Sequence, residues 1–141
     1  MPFRTGRAIL SLTTVKKRTP FQFTGRIRSF TYAATGIWTM LKSQHNAWIH
    51  AVATVGVIAA GLFFRITPGE WCGLILALMA VWAAEALNTA FESLADAASP
   101  EYHPLVKQAK DVAAGAVLLS AIGAALIGLL ILGPHLLSVF R

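Results

Sequence analysis

At 141 residues the chain has the length of one domain, and with 56% hydrophobic but only 13% charged residues it lacks the composition of a water-soluble globule. Its formal charge of +6 is concentrated at one end: Arg4, Arg7, Lys16, Lys17, Arg18, Arg26, Arg28 and Lys42 precede position 43, with no acid among them. Such a segment reads as a cytoplasmic end drawn to anionic lipid, at about 1 kcal/mol per basic residue, and no nucleic-acid partner is expected.

Residues 1–20 lack the continuous apolar region of a signal peptide; residues 1–22 read as a basic, flexible extension and residues 23–141 as one membrane domain. From about 24 to 43, Ile27, Phe30, Ala34, Ile37, Trp38 and Leu41 recur at spacings of three and four, opposite Arg28, Thr35 and Lys42. That pattern predicts an amphipathic helix lying in the headgroup plane. A first span is predicted over about 46–64, closed by "RITPGEW", where Pro68 and Gly69 are turn residues and Trp71 is an interface anchor. A second span covers about 70–96 and is broken by Pro100 and Pro104 of "SPEYHP". A third covers about 108–133 and runs to Gly133-Pro134. The fold class is therefore an all-α membrane protein with three transmembrane helices and an N-terminal surface helix. With the basic end cytoplasmic, the 65–70 link and the carboxyl terminus fall outside, and the 96–111 link, which carries Lys107 and Lys110, falls inside. Gly56, Ala60, Gly115, Gly123, Ala124 and Gly128 predict close helix approach. Cys72 is the single cysteine, which excludes an internal disulfide or a CxxC motif.

The second span carries an unexpected polar stripe. In "EALNTAFESLAD", Glu85, Asn88, Glu92 and Asp96 stand at about 0°, 300°, 340° and 20° around a helix, with Thr89 at the edge near 40°. An ionised acid in the middle of a span costs about 2.5–3.5 kcal/mol, so Glu85 requires a partner, a raised pKa or a polar cavity. Hydrogen bonding between helices is the simplest use of Glu85 and Asn88, and Asp96 alone would pass as a solvated helix end. Packing, however, could use Ser or Gly without setting carboxylates beside one another. Oxygen ligands four residues apart suit Mg²⁺, which takes one or two carboxylates together with substrate phosphates and water. The facing "KQAKD" segment offers Lys110 to neutralise phosphate oxygens and Asp111 to position a partner. Metal, cation and a carboxylate that accepts a hydroxyl proton are the set that phosphoryl transfer needs. The chain has no G-x-x-x-x-G-K-[ST] loop and no protein-kinase signature, so any nucleotide site is built differently.

"EALNTAFESLAD", with the downstream "SPEYHPLVKQAKDVAAGAVLL" and the upstream "RSFTYAATGI", closely resembles the bacterial integral-membrane diacylglycerol kinase and undecaprenol kinase family, from about Phe23 to Leu130. The resemblance implies a homotrimer in the inner membrane, with active sites shared between subunits at the cytoplasmic interface. It also implies transfer of the γ-phosphate of Mg-ATP to the hydroxyl of a lipid substrate. It places Glu85 as catalytic base, Glu92 as metal ligand, Asn88 and Asp96 as further polar site positions, and Tyr32, Glu101, Tyr102, His103, Lys110 and Asp111 at nucleotide-contacting positions. The family usually has a second metal-holding glutamate where this chain has Gln44, which offers a carbonyl oxygen and no charge. Trp48 replaces a residue that is often basic in the undecaprenol type, whereas Asn46 and His50 of "NAWIH" fit that type. The competing expectation, favoured by Gln44, is a weakened relative that serves as a non-enzymatic oligomeric membrane protein or channel.

Overall fold

The computed structural model describes residues 23–140, and the basic extension expected over 1–22 lies outside them. The described residues form four α-helices: α1 (Phe23–Ser43), α2 (His45–Phe64), α3 (Pro68–Ala98) and α4 (Pro104–Val139). Two compact units divide between Ala33 and Ala34. The polar stripe and the three long apolar helices belong to the second unit. α2, α3 and α4 are each long and apolar enough to cross a membrane. At 1.5 Å per residue the 31 residues of α3 extend about 46 Å, well beyond a hydrocarbon core of about 30 Å, so one or both ends emerge.

The connections decide which side chains meet. α2 ends at Arg65, whose φ of 52° is left-handed and whose amide turns back to the Gly61 and Leu62 carbonyls. Pro68 and Gly69, expected as turn residues, are instead the first two residues of α3. Proline is favoured there because the first helical N–H has no intrahelical partner to lose. Thr67 caps this end. Its hydroxyl accepts from the Glu70 amide at 3.4 Å while Glu70 Oε2 accepts from the Thr67 amide at 2.7 Å, a reciprocal capping box. The other carboxylate oxygen, Glu70 Oε1, lies 2.8 Å from Nε2 of His135 on α4, and the His135 ring stacks on Phe64 of α2. One acid thus gathers the end of α2, the start of α3 and the last turns of α4. At the opposite end Gln44, just before α2, reaches Glu92 near the end of α3. The first two spans therefore run antiparallel, and α4 runs back beside α3.

α4 passes through Pro134 and ends at Val139, beyond the stop expected at Gly133-Pro134. Proline removes one backbone donor from a helix interior, and a long apolar helix with few alternatives for its backbone polar groups in lipid continues past it. The buried apolar residues are few: Leu74, Ala77 and Val81 of α3, Val117 of α4, Ala47 of α2, and Met40 and Ile66. Close approach falls on different glycines from those expected. A Cβ at Gly61 would lie 2.8 Å from the Trp71 ring and one at Gly73 would lie 3.1 Å from Ile131, whereas at Gly56, Gly115, Gly123 and Gly128 it would meet nothing within 4 Å. Trp71 accordingly packs over Gly61 as well as sitting near a span end. A groove of about 730 Å³ between α3 and α4 is walled by alanines of both helices, with Asn88 and Gln108 as its polar lining.

Candidate functional site

The inward face of α3 supplies the site. Glu85, Asn88 and Thr89 are buried, and Glu85 is 1% exposed. The polar stripe forms three successive groups along the helix axis. At the deepest level Glu85 meets α2, where His50 Nε2 stands 3.9 Å from Glu85 Oε2. Both carboxylate oxygens of Glu85 are buried without a hydrogen-bond partner among the described residues. A polar group so placed is costly unless something else engages it.

Two turns further along α3, Glu92 is held from both sides. Gln44 Nε2 donates to its Oε2 at 2.7 Å and Asn88 Nδ2 donates to its Oε1 at 3.2 Å. Gln44 occupies the cap position of α2 yet makes no side-chain cap bond, so its amide is free to cross to α3. Asn88 Oδ1 is buried and has no donor among the described residues. At the outer level Asp96 Oδ1 accepts from Lys110 Nζ at 2.5 Å, tying the last turns of α3 to the first turns of α4. Asp111 does not join Lys110; its partner is Lys107, one turn earlier on α4, at 2.6 Å.

The linker residues are open. Glu101, Tyr102 and His103 are exposed, and His103 Nδ1 accepts from the Leu105 amide as the cap of α4. Tyr32, also exposed, belongs to the first unit. Gln44, Asn88 and Glu92 are thus brought together, as are Asp96 and Lys110, while Glu101, Tyr102 and His103 stand in solvent-facing backbone without side-chain contacts to the stripe among the described residues. No group of three or more His, Cys, Asp or Glu side chains gathers as a metal centre among the described residues. Chemically the surface pairs a shielded carboxylate with an amide-bound one and a nearby lysine, a set able to accept a proton and to balance phosphate charge.

Residues 31–132 match the prokaryotic diacylglycerol kinase family. The chain belongs to that family. Diacylglycerol kinase family relatives include the undecaprenol kinase of Bacillus subtilis (strain 168), 38% identical over 109 residues that make up 77% of this chain and 89% of the relative. The diacylglycerol kinase of Synechocystis sp. is 42% identical over 112 residues, 79% of this chain and 64% of that protein. The diacylglycerol kinase of Escherichia coli (strain K12) is 39% identical over 101 residues, 67% of this chain and 83% of the relative.

Two members of the deepest group escaped the reading of the sequence. Trp82 Nε1 donates to Thr54 Oγ1 at 3.1 Å, and the Trp82 ring meets His50 edge-on. A signal for them existed in the spacing: Trp82 precedes Glu85 by three residues and Thr54 follows His50 by four, so each shares a helix face with a stripe residue or its neighbour.

Proposed function

We propose that this protein is an ATP-dependent lipid kinase that phosphorylates a primary hydroxyl at the cytoplasmic face of the inner membrane, on undecaprenol or diacylglycerol. Membership of a family of lipid kinases supports the class of reaction and weighs against a non-enzymatic assembly. The single observation that carries the site is Glu85, a carboxylate buried in an apolar helix with both oxygens unpartnered. In this reading Glu85 accepts the proton of the lipid hydroxyl as its oxygen bonds to the γ-phosphorus of ATP and the bond to ADP breaks, leaving the phosphorylated lipid and ADP. Lys110, held by Asp96, balances charge on the phosphates. Asp111, Tyr32 and the exposed Glu101, Tyr102 and His103 are assigned to the nucleotide.

The residues fit a magnesium ion. Glu92 offers one carboxylate, and the amides of Gln44 and Asn88 are already gathered on it, with Asn88 Oδ1 lacking a donor. A single carboxylate with amide oxygens is a sparse set, and Mg²⁺ suits such sets because it retains water and takes substrate phosphates as ligands. Bound there with ATP, the ion would offset the negative charge of the triphosphate. The proposal includes a homotrimer, as the family resemblance implies.

Purified protein in detergent, supplied with γ-labelled ATP, Mg²⁺ and either lipid, is expected to transfer label to at least one of them. Absence of product from both lipids at saturating Mg²⁺ overturns the reading, and the ratio of the two rates names the substrate.

A further inference from the structure

A buried carboxylate that takes a proton from a substrate must be held in one orientation, because a displacement of about 1 Å costs on the order of 100-fold in rate. Glu85 receives no hydrogen bond from any described residue, so its aim depends on what packs around it. One ionisable side chain of the neighbouring helix reaches it: His50 of α2, with Nε2 at 3.9 Å from Oε2. At that separation the imidazole faces the carboxylate in ion-pair range, just beyond hydrogen-bond distance.

His50 is itself fixed by a linked set of contacts. Thr54, one turn along α2, donates its hydroxyl hydrogen to the His50 carbonyl at 2.7 Å. The same hydroxyl oxygen accepts from Trp82 Nε1 at 3.1 Å. The Trp82 ring then returns to the imidazole, edge-on with centroids 6.4 Å apart and planes at 70°. Trp82 and Glu85 lie three residues apart on one face of α3, so the ring that braces His50 and the carboxylate that His50 meets are carried by the same rigid turn. The Trp82–Thr54 bond thus joins α2 to α3 one turn from His50, and the Trp82 ring bounds the imidazole on the side of the helix that bears the acid.

We propose that His50 is a positioning residue for Glu85, orienting the carboxylate toward the lipid hydroxyl, with Trp82 and Thr54 holding the imidazole in place. The proposal rests on the reading of Glu85 as the base. In the full-length protein assayed in detergent with Mg-ATP and the preferred lipid, His50→Ala lowers kcat by about 10- to 100-fold while KM for ATP stays unchanged. His50→Gln, whose side-chain amide keeps a donor near the Nε2 position, recovers most of that loss. Trp82→Phe keeps a ring against His50 and removes only the Nε1 donor; it lowers kcat several-fold in the native background and adds nothing to His50→Ala, because its effect passes through the imidazole. Wild-type kcat in either His50→Ala or Trp82→Phe overturns the proposal, as does an equal loss from Trp82→Phe with and without His50. Should His50→Ala not fold, His50→Gln takes its place as the background without an imidazole: wild-type kcat in Trp82→Phe, or an equal loss from Trp82→Phe in the native and His50→Gln backgrounds, overturns the proposal. Glu85→Gln separates the two levels: an active Glu85→Gln protein removes the base assignment, whereas an inactive one alongside a fully active His50→Ala removes only the role of His50.

Discussion

Gln44 is the residue at which the chain departs from its family's usual pattern, and its contact makes the departure physical. Where the family resemblance leads one to expect a second carboxylate, an amide donates a 2.7 Å hydrogen bond to Glu92. In the ligand-free protein that bond is favourable, since hydrogen bonds to charged groups contribute roughly 1.5–3 kcal/mol. Gln44→Glu replaces it with two carboxylates facing each other, whose repulsion a bound cation relieves. The variant is therefore expected to unfold more readily than the parent when Mg²⁺ is chelated, by about 1–3 kcal/mol, and to recover more stability than the parent as Mg²⁺ is added. Thermal unfolding in detergent across a Mg²⁺ series checks this independently of turnover. Equal Mg²⁺ responses in parent and variant would show that position 44 does not face the ion.

At the scale of the helices, the contact that closes the α2–α3 turn is sharper than the small-residue pattern suggested. Gly61 lies under the Trp71 ring, where an added Cβ would come within 2.8 Å of one ring carbon, 2.9 Å of another and 3.1 Å of Ile66. The ring is rigid and Ile66 is buried, so neither yields readily. Gly61→Ala is expected to destabilise the folded protein by about 1–3 kcal/mol, the usual cost of overpacking, read as a lower unfolding temperature in detergent. Three membrane spans were legible because helix-length stretches of predominantly apolar character, about 20 residues each, have few other uses. The face shared by Glu85, Asn88, Glu92 and Asp96 was legible because helical periodicity fixes it before any tertiary contact forms. The pairings were not: Lys110 with Asp96, Asp111 with Lys107, and Glu70 with His135 depend on how neighbouring helices rotate and end. The left-handed turn fell on Arg65 beside Pro68 and Gly69, residues that ordinarily advertise a turn, because proline is equally suited to open a helix once Thr67 and Glu70 cap it.

Across the whole molecule the two ends of the helical bundle differ in chemistry. One end carries Gln44, Glu92, Asp96, Lys107 and Lys110; the other carries Arg65, Thr67, Glu70 and His135. ATP is confined to the cytoplasm, so the proposed kinase requires the first end to face inward, which is also the orientation favoured by eight basic residues before position 43. Because Cys72 is the single cysteine, Cys72→Ser gives a thiol-free background in which one new cysteine at a time reports its side of the membrane. Arg65 and Glu101 are exposed residues in opposite links and serve as reporters. Arg65→Cys is expected to react with a membrane-impermeant maleimide in spheroplasts, and Glu101→Cys only after the membrane is permeabilised. The reverse pattern would put Lys110 and Glu92 on the side without ATP and would overturn the proposed reaction, whatever the geometry of the stripe.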